Sequence, residues 1–153
     1  MSWLTMSVRE ERLVHATCVA IGGRGVLLRG ASGSGKSDLA LRLIDQGAKL
    51  VSDDQVRISR HGEKLIARAP RSIAGKIEVR GIGIVAVSAK AFVPLALVVD
   101  LTSRTKIERM PRPQRWRCLG RSVPKIQLDP FEASALAKLR LAVRLSARDS
   151  SRL

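Results

Sequence analysis

Residues 30–37, GASGSGKS, have the composition and spacing of a loop that holds phosphate. They fit the pattern G-x-x-x-x-G-K-[ST] at every position. Gly30, Gly33 and Gly35 let the backbone bend so that the N–H groups of Gly30, Ala31, Ser32, Gly33, Ser34 and Gly35 turn toward one anion. Lys36 then reaches the β and γ phosphates of a nucleotide, and the Ser37 hydroxyl ligates Mg²⁺. A nucleotide gripped in this way can be hydrolysed, can act as a switch, or can pass its phosphoryl group to a substrate.

The next chemically loaded residues are the adjacent carboxylates Asp53 and Asp54. One carboxylate in such a place commonly holds the metal, while a second accepts a proton from an attacking hydroxyl. Ser-Asp-Asp is also good turn chemistry, so a turn remains an alternative at this level. Asp100, at the end of an apolar run, is a rival metal ligand. Glu78 and Arg80 flank Val79 and project to one face of a strand, where they are a salt bridge or part of a site. His15 and His61 are the two histidines, and spacing alone promotes neither.

These residues need elements to bring them together. HATCVAI, a GGRG reversal and VLLRG form a hairpin whose second strand runs into the phosphate loop. Leu39, Leu43 and Ile44 recur at helical spacing between Lys36 and Gln46, and Gly47 stops the helix. AKLVSDD is a short buried strand, and right-handed βαβ geometry carries its C-terminal Asp pair back toward the phosphates. VRISRHGEKLIARA alternates as a further hairpin, KIEVRGIGIVAVS is punctuated by glycine, and PLALVVDL is an apolar strand ending in Asp100. Residues 102–121 are basic and broken by proline, which predicts a long surface loop or lid. SVPKIQL is a strand, and Asp129 caps a final helix with Pro130 at its first position and Glu132 at its third.

The whole is one α/β domain over residues 1–153, a mixed β-sheet with flanking helices, in which 1–12 form a loose leader and 145–153 a frayed tail. Aromatics are 3% of the chain, with no tyrosine, so stacking platforms for single-stranded nucleic acid are mostly missing. Cys18 and Cys118 have no zinc-like or disulfide-framework spacing and read as reduced thiols. The opening residues lack a signal-peptide core, and AFVPLALVV is too short to span a bilayer, so a soluble cytoplasmic protein is expected. A net charge of +15 predicts attraction to polyanions or to an acidic partner without choosing between them.

His15, the phosphate loop fifteen positions later, GAKLVSDDQV and IEVRGIGIVAV occur in the order and near the spacing of one family. Across residues 13–101 the chain resembles the catalytic domain of bacterial HPr kinase/phosphorylase, in a short form without the N-terminal domain. That resemblance implies a nucleotide site similar to that of phosphoenolpyruvate carboxykinase, and transfer from ATP to a serine of an HPr-type phosphocarrier protein. It also implies return of the phosphoryl group to inorganic phosphate at the same site. By position, Asp53 takes the serine proton, Asp54 and His15 position and polarise the centre, Glu78 joins Ser37 around Mg²⁺, and Arg80, Gly81 and Gly83 belong to a segment beside the site. Asp100 becomes a structural strand end.

The family's histidine is usually followed by glycine where Ala16 stands here, and the residue after the loop serine is often Glu where this chain has Asp38. The arginine-containing segment tied to the phosphorylase direction is replaced by SVPKIQLDPFE, in which Lys125 is no bidentate phosphate clamp. The kinase direction is therefore the better supported. A homo-oligomer is left open, a nucleic acid partner is disfavoured, and no membrane partner is expected. The competing readings are a basic phosphate-loop ATPase acting with nucleic acid and a nucleotide sensor without catalysis.

Overall fold

The computed structural model describes residues 11–151, and it is a mixed sheet clasped by two helices. Its elements in chain order are β1 (Glu11–His15), β2 (Thr17–Ile21), β3 (Arg24–Arg29), α1 (Lys36–Asp45), β4 (Lys49–Ser52), β5 (Gln55–His61), β6 (Lys64–Arg68) and β7 (Lys76–Val79). They continue with β8 (Gly83–Ala86), β9 (Phe92–Leu101), β10 (Gln114–Cys118), β11 (Arg121–Leu128) and α2 (Ala135–Ser151). The nine-stranded sheet runs β1-β5-β6-β9-β3-β2-β4, with β11 joined to β9 and β10 to β11; β7 and β8 form a separate hairpin.

Strand β9 organises the sheet. It is the longest apolar run, and its C-terminal half lies parallel to both β3 and β11, so three strands end at one edge. Alternation along β3 then divides the core. Val26 and Leu28 face one layer with Leu97, Val99, Leu39, Leu43, Leu139 and Val143, so both helices pack on that side. Leu27 faces the other layer with Val56, Ile58, Leu65 and Val98, over which β1, β5 and β6 curl. Leu39 and Leu43, wholly buried, each contribute about 1.5–3 kcal/mol and fix α1 against the strands that feed it.

Four sequence expectations change. HATCVAI is not one strand: the chain bends at Ala16, so β1 pairs with β5 while β2 pairs with β3 and β4. Glu11 and Arg12, expected in the loose leader, lie in β1, where Glu11 grips Arg57 through two 2.9 Å hydrogen bonds; residues 1–10 lie outside the described residues. Only the first part of the expected 102–121 lid is irregular, because Gln114–Cys118 pairs antiparallel with β11. Exposed Arg115 and Arg117 alternate there with half-buried Trp116 and buried Cys118, the pattern of a charged edge strand.

The last helix starts at Ala135, later than the Asp129 cap predicts, and runs to Ser151, past the point of expected fraying. Asp129 is used differently: Oδ1 accepts from the Phe131 N–H at 2.9 Å and Oδ2 from the Arg104 N–H at 3.0 Å, which makes a turn. Cys18 and Cys118 are free and buried, and burial pushes the Cys18 thiol up to about 12.

Candidate phosphoryl-transfer site

Residues 30–37, the candidate phosphate loop, lie where the sequence places them, between the end of β3 and the start of α1. Gly33 and Gly35 have φ of 81° and 101°, a left-handed backbone open chiefly to glycine. No described side chain caps α1, so its first N–H groups face the loop. Lys36 is buried and folded back, with Nζ donating to Gly30 O at 2.6 Å and Ala31 O at 3.1 Å. Those two carbonyls hold the ammonium at the mouth of the loop.

Asp53 lies just past β4 and is 8% exposed. Its Oδ1 accepts from Ser37 Oγ at 2.8 Å and from Thr17 Oγ1 at 2.9 Å, and its Oδ2 accepts from the Glu78 N–H at 3.1 Å. One carboxylate thus ties together the phosphate-loop helix, β2, β4 and the β7–β8 hairpin. Thr17 is a member of this network that motif reading overlooked; its only signal was a hydroxyl on a strand otherwise built from Cys18, Val19, Ala20 and Ile21.

Asp54 points elsewhere. Its φ of 70° reverses the chain, with its N–H bonded to Thr17 Oγ1 at 3.2 Å and its carbonyl accepting from the Ala16 N–H at 3.1 Å. Aspartate tolerates this left-handed conformation better than most residues, and such strain gathers at functional sites. Its side chain is 66% exposed, and Oδ1 stands 3.5 Å from His15 Nε2. His15, which spacing alone did not promote, is therefore brought to the second carboxylate.

Glu78 touches the network through its main chain and leaves its own side chain exposed. Arg80 is exposed at the tip of the same hairpin, whose turn uses Gly81 and Gly83 at φ of 89° and 118°. Among the described residues no three His, Cys, Asp or Glu side chains form a cluster able to hold a metal ion alone. A Mg²⁺ ion that keeps waters and takes phosphate oxygens needs only one or two carboxylates, so the oxygen donors of Ser37, Asp53 and Glu78 suit it. Asp100 is drawn into ion pairs with Arg29 at 3.0 Å and Lys125 at 3.6 Å, which occupies Lys125 as well.

One cavity, about 550 Å³, is walled by Leu97, Ile107, Ile126, Ala142 and Leu145, and none of the phosphate-loop residues or the Asp pair lines it. Another, about 270 Å³, opens against Ser34 of the phosphate loop.

The model of the HPr Serine kinase C-terminal domain family matches residues 6–146. The chain belongs to this family. Among its relatives, the HPr kinase/phosphorylase of Lactobacillus delbrueckii subsp. bulgaricus is 38% identical over 109 residues, which span 66% of this chain and 34% of that protein. The HPr kinase/phosphorylase of Chlorobium limicola is 37% identical over 145 residues, 86% of this chain and 44% of that protein. The chain thus spans less than half the length of these curated relatives. A solved structure of the Hpr(Ser) kinase/phosphatase from Coxiella burnetii superposes with a TM-score of 0.79 at 28% identity, covering 92% of this chain and 96% of that one. The expected mixed sheet with flanking helices is thereby borne out. Among the described residues no helix is long and apolar enough to cross a membrane.

Proposed function

We propose that this domain transfers the γ-phosphoryl group of ATP to a serine hydroxyl of an HPr-type phosphocarrier protein in the cytoplasm. The observation that carries the reading is the division of labour between neighbours. Asp53 is enclosed by three donors that tie it to the phosphate-loop serine, whereas Asp54 is open to solvent beside His15. This reverses the assignment that the family resemblance implies, which gave the proton to Asp53.

In this reading Lys36 leaves its two carbonyls to engage the β and γ phosphates. The backbone N–H groups of residues 30–35, together with the Arg80 guanidinium, offset negative charge on the nucleotide. Ser37, Asp53 and Glu78 would hold Mg²⁺, which would supply charge neutralisation on the phosphates. Asp54 accepts the proton from the incoming serine hydroxyl as its oxygen forms the new bond to phosphorus and the bond to the β-phosphate oxygen breaks, releasing ADP. His15 orients the Asp54 carboxylate. In reverse, the same carboxyl returns the proton to the serine oxygen while inorganic phosphate takes the phosphoryl group; the kinase direction leads.

The test is to incubate the protein with Mg-ATP and HPr-type carriers and to look for phosphoserine by mass spectrometry. Phosphoserine on the carrier is the expected result. ATP hydrolysis stimulated by DNA or RNA, with steep salt dependence and no labelled protein, would replace this reading with a nucleic-acid-linked ATPase.

A further inference from the structure

We propose that the cavity of about 270 Å³ against the phosphate loop receives the base and ribose of the bound nucleotide, with Phe131 as the stacking surface. This rests on the nucleotide reading given above. The two flanks of the loop carry different chemistry. In the sheet order β9-β3-β2-β4, the loop leaves β3, and the β2–β4 flank supplies Thr17, Asp53 and Asp54. On the opposite flank, β9 ends at Leu101, β11 ends at Leu128, and the segments that follow enclose the cavity with Leu101, Thr102, Ser103, Asp129 and Phe131. A nucleotide whose terminal phosphate faces the carboxylates must run its other end away from them, into this space.

The cavity carries an exposed aromatic ring on its wall. Phe131 is 72% exposed on a chain with only two phenylalanines, an uncommon place for so large an apolar ring. The backbone that carries it is tied down: the Phe131 N–H bonds Asp129 Oδ1, and Arg42 from α1 donates to Pro130 O. A Cβ at Gly35 would stand 3.2 Å from the Phe131 ring and 3.1 Å from Pro130, so the ring rests on the phosphate loop itself. On the shared wall, the buried Ser34 Oγ has no hydrogen-bond partner among the described residues, an idle hydroxyl between loop and cavity. The volume sits just under the ~300–1,000 Å³ of whole ligand sites, as befits a nucleoside whose phosphates lie outside it.

The ring gives area and little directional information, because every base has a π-face. Nucleotides therefore bind through stacking more than through base-edge reading.

Calorimetric titration with Mg-ATP and with Mg-tripolyphosphate, on the wild type, Phe131→Ala and Phe131→Tyr, tests this. The expected result is ATP affinity reduced roughly ten-fold by Phe131→Ala, preserved by Phe131→Tyr, and tripolyphosphate affinity equal in all three. Equal loss of both ligands in Phe131→Ala means that the ring only braces the loop, and unchanged ATP affinity means that the base lies elsewhere; either overturns the proposal. Failure of the wild type to bind tripolyphosphate and ATP alike sinks the nucleotide reading itself.

Discussion

Asp53 and Asp54 share a peptide bond and occupy two different regions, one sealed and one open. The sealed region is a knot in which Thr17, Ser37 and the Glu78 N–H converge on one carboxylate. The open region is a rim of exposed groups, Asp54, His15, Glu78 and Arg80, carried on turns and strand ends. The difference teaches that a carboxylate enclosed by three donors is suited to holding neighbouring groups in place, while a group that must exchange a proton with a substrate has to be reachable by it. The left-handed backbone at Asp54 is the device that sends two consecutive side chains to these two fates.

The contrast can be broken or sharpened by substitution. Asp54→Asn should have the largest effect, lowering phosphoryl transfer by about 10²–10⁴-fold while the melting temperature stays put. Asp53→Asn should do the opposite in kind: it leaves buried hydroxyl and N–H donors facing an amide, costing about 1–3 kcal/mol of stability in a denaturation curve and loosening Ser37 from the nucleotide. Thr17→Val, which removes the Thr17 hydroxyl bonds to Asp53 and the Asp54 N–H, should cost about 1 kcal/mol in the same assay. If Thr17→Val instead abolishes transfer without loss of stability, the knot is part of the chemistry.

The smallest effect belongs to a pair remote from both regions. Arg57 holds the Glu11 carboxyl below its usual 4.5, chiefly through their side-chain hydrogen bonds. A folded-state value lower than the unfolded one means that the stabilisation is present above about pH 4.5 and is lost as pH falls through the lowered value. Glu11→Gln should therefore melt at most about 1 kcal/mol less stably than the wild type near neutrality, and the two curves should converge in acid.

The sealed region was largely legible in the sequence. The phosphate loop carries its own punctuation, its flanking strand and helix show in the apolar spacing, and the Asp pair falls at a strand end. What stayed hidden depends on contacts across the fold. The different surroundings of Asp53 and Asp54 depend on a backbone reversal and on donors up to 36 positions away, which no local pattern records. β10 was hidden by its arginines, since an edge strand with one face in solvent has only Trp116 and Cys118 to betray it. The late start of α2 has the same origin: Asp129 accepts from the Phe131 N–H and also from the Arg104 N–H 25 positions away, and so makes a turn.

Single-turnover transfer from ATP already bound to the protein removes binding from the comparison of the two carboxylates. With nucleotide saturating both enzymes, Asp54→Asn should form phosphoserine at least about 100-fold more slowly than the wild type. Transfer at the wild-type rate would contradict the role given to Asp54 and return the proton to the sealed carboxylate.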